Sequence, residues 1–272
     1  MLEKIIVFIF GSMVGSFLNV CIHRLPQGQS IIKPASYCPK CKKSIPWYDN
    51  IPFLSYIILR GRCRFCKEGI SFRYFLVELI TASLFLIFYI LYGLNYQFLF
   101  YIVLVCGLII ATFVDLQHRI IPDEISIGGI VVGFLLNIIR GISIRPMSLN
   151  LQPIKNSLLG IILGGGIIYF TGFIFDLVYF RLLKRPPVDG ETESMGGGDV
   201  KFLAMIGAFL GWKAVILAFF IAPVLGAIAG LVNLLITKKH TIPYGPFLAL
   251  AALITIFWQH RIVNFIIYGC LP

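Results

Sequence analysis

Two acidic residues stand where an apolar chain makes acid groups expensive. Asp115 closes one apolar run in Ala111-Thr-Phe-Val-Asp115-Leu-Gln-His-Arg-Ile-Ile-Pro-Asp123, and Asp199 opens another in Gly196-Gly197-Gly198-Asp199-Val200-Lys201. An ionisable group at the edge of a membrane-depth segment is costly to keep and marks a functional candidate. Two carboxyls brought together do not both ionise readily. One then keeps a proton while the other acts as a base toward water, which is the acid–base equipment of aspartic peptide hydrolysis. The glycines ahead of Asp199 allow another backbone to approach closely and leave room for an extended chain beside the carboxyl. Glu78 and Asp176 are the other acidic residues at the edges of apolar runs.

A second chemistry is written in cysteine. Cys38-Pro-Lys-Cys41 and Cys63-Arg-Phe-Cys66 are two C-x2-C knuckles separated by the stretch from Lys42 to Arg62. Knuckles so spaced can close a tetrahedral four-thiolate zinc site; the alternative is a pair of disulfides, which a reducing cytoplasmic location disfavours. Lys40, Lys42, Arg62, Arg64 and Lys67 lie beside them to offset thiolate charge. With all four positions taken by sulfur the metal has no open position for chemistry, so the expected role is structural, and binding energy becomes folding energy for a loop too small to bury a core. Cys21, Cys106 and Cys270 lie in or beside apolar runs and read as small core residues.

The elements that must position these groups follow from composition. Of 272 residues, 58% are hydrophobic and 13% charged, and the mean hydropathy is +0.91; the apolar share of a soluble domain is roughly 45–50%. A soluble fold is excluded, and the chain reads as an all-α polytopic membrane protein. Eight apolar segments are predicted: Ile5–Ile22, Phe72–Tyr92, Gln97–Val114, Glu124–Ile139, Ser157–Phe180, Val200–Leu210, Ala214–Thr237 and Pro246–Ile267. The sixth is too short to span comfortably and runs through a tight turn at Gly211-Trp212-Lys213 into the seventh. Met1-Leu2-Glu3-Lys4 makes a poor basic leader and no A-x-A site follows, so the first segment is expected to remain as a helix.

The division expected is a first transmembrane helix (1–22), a cytoplasmic tetracysteine domain (23–71) and a helical bundle carrying the aspartates (72–272). The net charge of +11 suits anionic lipid better than nucleic acid. If the crossings alternate with the cysteine loop inside, the basic residues from Arg24 to Arg73, with Arg119, Arg181, Lys184, Arg185, Lys201, Lys238 and Lys239, fall on the cytoplasmic side. Only Lys4, Arg140, Arg145, Lys155, Lys213 and Arg261 fall outside. The positive-inside rule selects that orientation, with both termini outside the cytoplasm.

The chain resembles the bacterial type IV prepilin leader peptidases over nearly its whole length. The resemblance is carried by Gly11-Ser-Met-Val-Gly15-Ser-Phe-Leu-Asn19-Val-Cys-Ile-His-Arg24-Leu-Pro26, by Pro46-Trp-Tyr-Asp49-Asn50-Ile-Pro52, by Leu59-Arg60-Gly61-Arg-Cys63, by Ile70-Ser-Phe-Arg73-Tyr74 through Glu78, and by the two aspartate blocks with Gly207 and Gly211. It implies an inner-membrane aspartyl protease of the GxGD class, with Asp115 and Asp199 catalytic and Gly196, Gly198 and Lys201 supporting the motif. It implies as substrate a prepilin or pseudopilin, serving pilus assembly or type II secretion. The short basic leader is cut after a glycine on the cytoplasmic side, and the new N-terminus, commonly a phenylalanine, is methylated from S-adenosylmethionine. Phe75 stands where the family often has proline, and Tyr244 where Pro-Phe-Gly-Pro is usual.

No glycine fingerprint for the methyl donor occurs in a strand–turn–helix context, so that activity rests on the resemblance. Asp49, Asn50, Arg73 and Glu78 are the methyltransferase candidates. Asp189, Glu191 and Glu193 precede the glycine run and are a candidate receptor for a basic leader. A proton-coupled carrier would use Asp115 and Asp199 as relays instead. That alternative expects internal repeats with matching broken helices, and none is evident.

Overall fold

Long runs of Ile, Leu, Phe and Val with few charges leave the backbone one way to satisfy its N–H and C=O groups in lipid, the α-helix. A computed structural model describes residues 1–143, 150–182, 196–237 and 243–268. The main helices are α1 (Leu2–Arg24), a short α2 (Leu54–Ile58), α3 (Phe72–Tyr92), α4 (Tyr96–His118), α5 (Asp123–Ser143), α6 (Gln152–Asp176, continued by a π-helical stretch Leu177–Leu182), α7 (Gly197–Leu210), α8 (Trp212–Thr237) and α9 (Gly245–Tyr268). Among the described residues there is no sheet, only the isolated bridges Tyr37–Ser44 and Arg62–Gly69. Helices α1, α3, α4, α5, α6 and α8 are long and apolar enough to cross a membrane. The chain is therefore an all-helical, multi-pass membrane protein. Helix α7, with 14 residues, is too short to do so, as the sequence pattern foretold.

The chain divides into two compact units, Met1–Val114 and Asp115–Pro272. In the first, α1 lies against α3. The approach is closest at Gly15, where a Cβ would stand 2.8 Å from the Cα of Glu78. Val7, Phe85 and Ile102 are buried together, and the rings of Phe88, Tyr92 and Tyr101 stack at centroid distances of 5.1 to 6.1 Å. The segment between α1 and α3 carries α2, two short 3-10 turns and the cysteine knuckles.

In the second unit, α7 is the buried member. Every residue from Phe202 to Phe209 is buried. A helix enclosed by protein rather than lipid has no bilayer thickness to match, which is why a short one suffices. Small residues let its neighbours close in: on α6, a Cβ at Gly160 would lie 2.2 Å from the carbonyl oxygen of Gly207, and on α5, Gly129 and Gly133 face Met205 and Phe209. The last carbonyls of α7, which have no partner within the helix, receive side-chain donors. Ser157 Oγ donates to Ala208 O at 2.6 Å, and Asn137 Nδ2 donates to Ala208 O at 2.9 Å and Phe209 O at 3.3 Å. Gly160→Val is expected to destabilise by about 3 kcal/mol or more, since the added methyls meet backbone. A thermal melt in detergent with an unchanged Tm would show that α6 and α7 yield.

Candidate functional site

Both aspartates belong to the second unit. Asp115 sits in the last turn of α4 and is 6% exposed. Its Oδ2 accepts the backbone N–H of Gly245 at 2.8 Å. Gly245 opens α9, where the first N–H groups have no partner within the helix, so a carboxylate there answers an unmet donor. A Cβ at Gly245 would lie 2.7 Å from that same oxygen, so the contact needs glycine. Asp199 sits in the first turn of α7, its N–H donating to Gly196 O at 3.1 Å. The carboxyls of Asp115 and Asp199 interact electrostatically. Asp115 and Asp199, 84 positions apart in the sequence, thus fall within one unit and near enough for their charges to interact.

Around the pair stand Lys201 and Gly198 of the expected motif, together with Tyr244 and Asp123, to which sequence reasoning assigned no role. Tyr244, next to Gly245, has a buried hydroxyl without a hydrogen-bond partner. Burial first and the Asp199 charge second push its phenol up to about 12, so it stays neutral. Lys201 Nζ donates to both oxygens of Asp123 at 2.7 and 2.9 Å, tying the first turn of α7 to the start of α5. Sequence reasoning set Asp123 aside; the pair joins the two aspartate blocks through a second contact. Both side chains are about half exposed, so the tie contributes no more than about 1 kcal/mol. Lys201→Gln is expected to shift stability by less than that in a denaturant titration; a larger loss would make the pair a main support of α7. Gly197 faces open space, and a Cβ at Gly198 would meet Ile121 at 3.4 Å. The acidic cluster Asp189, Glu191 and Glu193 lies outside the described residues.

In the first unit the four knuckle cysteines come together, their sulfurs all within 4.8 Å of one another. The two knuckles repeat one geometry. Cys38 N–H donates to Lys43 O and Lys42 N–H to Cys38 O; Cys63 N–H donates to Glu68 O and Lys67 N–H to Cys63 O. Lys42 and Lys67 both take positive φ. Zinc–sulfur bonds of about 2.3 Å put tetrahedral sulfurs about 3.8 Å apart, and Cys38 Sγ lies 3.8 Å from Cys66 Sγ. The backbone N–H groups of Cys66 and then Phe65 draw the Cys63 thiol down to about 6, toward the thiolate a metal requires. The donor set fits zinc.

Beside the knuckles lies a cavity of about 390 Å³, lined by residues of α1, α3 and the loop between them, including Asn19, Cys38, Asp49, Asn50, Cys63 and Glu78. Asp49 is held by Arg64 through both oxygens, at 2.6 and 2.5 Å, which keeps its carboxyl well below its usual range. Glu78 accepts the Phe53 N–H at 3.0 Å. Arg73 is not among the lining residues; its guanidinium lies over the Tyr74 ring at 5.0 Å.

Residues 9–92 match the family model described as the Bacterial Peptidase A24 N-terminal domain, and residues 102–231 match that of the Type IV leader peptidase family. The prepilin leader peptidase/N-methyltransferase of Myxococcus xanthus is 37% identical over 88% of this chain and 65% of its own length. The protein of that name from Aeromonas salmonicida is 32% identical over 95% of this chain and 92% of its own. That from Legionella pneumophila is 33% identical over 97% and 94%. No solved structure matches the chain. Two family models side by side, and relatives of this similarity along most of the chain, establish that it belongs to the Type IV leader peptidase family.

Proposed function

We propose that this chain is a membrane aspartyl endopeptidase that removes the short leader of type IV prepilins or pseudopilins on the cytoplasmic side and then N-methylates the new N-terminus. The observation that carries the hydrolytic half is the Asp115–Asp199 pair, near enough for the two charges to interact and with a backbone donor on Asp115. One carboxyl draws a proton from water and later gives it to the leaving amine; the other, protonated, donates to the carbonyl oxygen and regains that proton as the tetrahedral intermediate collapses. The oxygen of Asp115 facing Gly245 accepts a hydrogen bond, so a proton on Asp115 sits on its other oxygen. Gly196 and Gly198 leave the approach to Asp199 narrow in cross-section, as an extended substrate needs.

The methyl-transfer half falls to the cavity of the first unit. Its volume is within the usual range for a small-molecule site, roughly 300–1,000 Å³, and its walls combine aromatic with polar side chains. S-adenosylmethionine, when bound, supplies an activated methyl group. Asn50 and Glu78 would hold the reactants, while Asp49, already paired with Arg64, shapes the wall. Zinc on Cys38, Cys41, Cys63 and Cys66 would fix the loop. In this reading 1–22 is the first crossing, 23–71 the cytoplasmic domain and 72–272 the protease bundle, in eight helices with both termini outside the inner membrane's cytoplasmic face. Purified chain incubated with a synthetic prepilin and S-adenosylmethionine should release the leader and yield a mature peptide heavier by one methyl group. Mass spectrometry that finds the leader uncut would overturn the proposal.

A further inference from the structure

Asn19 and Glu78 place two acceptors at one corner of the first unit's cavity, and we infer that this corner binds a primary ammonium group. Asn19 is 2% exposed and Glu78 8%, and both line the cavity. Asn19 Nδ2 donates to the carbonyl of Tyr74 at 3.0 Å, which fixes the amide's orientation and leaves Oδ1 as the free end. That oxygen is buried and has no partner. Glu78 Oε2 accepts the Phe53 N–H at 3.0 Å, and among the described residues Glu78 is in no ion pair.

Such an arrangement is expensive when empty. A buried acceptor without a donor and a buried carboxyl without a cation each weaken the fold, so their persistence beside a cavity points to a ligand that completes them. The register sets the ligand's shape. Gly15 meets Glu78 and Asn19 meets Tyr74, so the two acceptor residues stand on adjacent turns of the antiparallel pair α1 and α3, offset by about 5 Å along its axis. An ammonium nitrogen reaches two oxygens at that separation, each at about 2.8 Å. An ammonium carries N–H donors and no acceptor, so it complements a pair of acceptors. A carboxylate or phosphate would meet only acceptors at these two side chains. Tyr56, Tyr74 and Phe75 supply aromatic faces nearby, which also favour a cation.

The inference rests on the methyl-transfer reading, which offers two sources of a primary ammonium: the trimmed substrate's N-terminus, or the amino group of the methyl donor. Three measurements on the full chain in detergent separate them. S-adenosylmethionine affinity is read by equilibrium dialysis, affinity for a trimmed phenylalanine-first peptide by fluorescence anisotropy, and the same peptide is compared with its N-acetylated form. Glu78→Gln keeps the size and the Phe53 bond while removing the charge; Asn19→Ala removes the second acceptor and leaves Glu78 intact. If the ammonium is the peptide's, wild type binds the free-amine form at least about tenfold better than the acetylated form, each variant erases about tenfold of that preference, and donor affinity stays level. If it is the donor's, each variant weakens S-adenosylmethionine about tenfold and the peptide is untouched. Unchanged affinity for both ligands in both variants overturns the inference. A wild-type chain that binds the free amine selectively yet transfers no methyl group would leave the corner standing and remove the methyltransferase reading instead.

Discussion

Asparagine at either Asp115 or Asp199 is expected to lower leader cleavage by about 10³-fold or more, and the double variant to lower it no further. The magnitude follows from what the pair does. Peptide hydrolysis needs one group to take a proton and another to give one, and an amide can do neither, so losing either member removes the shared device rather than half of it. Groups that act as a unit are strongly non-additive for this reason, and about 10³ corresponds to about 4 kcal/mol of transition-state stabilisation. Asparagine is the informative replacement at Asp115 because its carbonyl oxygen still accepts the Gly245 N–H now given to Oδ2. At Asp199, the bond from its own N–H to Gly196 O belongs to the backbone and is unaffected. Both variants should melt as wild type does and carry the same metal. Single-turnover cleavage of a synthetic prepilin, read by mass spectrometry, measures the effect. Cleavage within tenfold of wild type in either variant would remove that aspartate from the chemistry, and multiplying losses in the double variant would mean that the two act separately.

Much of this arrangement could be read from residues alone, and the portion that could not has a common cause. Period and length carry far in a lipid solvent: Phe72–Tyr92 matched residue for residue, and the short run ending at Leu210 became α7, ended by Gly211. The cysteine spacing foretold the four-sulfur cluster because the ligands of a knuckle are local. The partners of Asp115 were hidden, since nothing near residue 115 points to Gly245. The available signal was Pro243-Tyr244-Gly245-Pro246, a breaker cluster ahead of an apolar run, which marks a helix start and therefore free N–H groups. Asn19 gave less still. An asparagine in the middle of an apolar helix is legible as odd, but its meaning depends on Glu78 and Tyr74, which only the packing of α1 on α3 supplies. Of the four methyltransferase candidates, Asp49, Asn50 and Glu78 line one cavity while Arg73 lies outside its lining, because residues on one helix face different ways and spacing from a distant loop does not say which.

Removing the metal is expected to abolish methyl transfer while lowering leader cleavage far less. The cysteine loop has little else to hold it: among the described residues it contains one five-residue helix, short 3-10 turns and two isolated bridges. A structural zinc site contributes apparent binding energy of about 10–16 kcal/mol, which a loop of this kind converts into its own folding. The cavity proposed for methyl transfer depends on that loop directly. Cys38 and Cys63 form part of its wall, and Arg64, adjacent to Cys63, grips Asp49 on the same wall through two hydrogen bonds. Without metal, four sulfurs held within 4.8 Å lose their common partner, the knuckles separate, and Arg64 no longer presents a fixed fork to Asp49. The aspartates, Gly245 and α7 belong to the other unit and use none of these residues. Two routes test this: dialysis against a chelator, and Cys41→Ser or Cys66→Ser, which remove ligands that do not line the cavity. Metal content by mass spectrometry should fall from one zinc per chain, S-adenosylmethionine affinity should drop by at least about tenfold, and methyl transfer should fall below detection. Re-addition of zinc should restore both in the dialysed wild type and not in the serine variants. A metal-free chain that still binds the donor and methylates at the wild-type rate would sever the knuckles from the cavity.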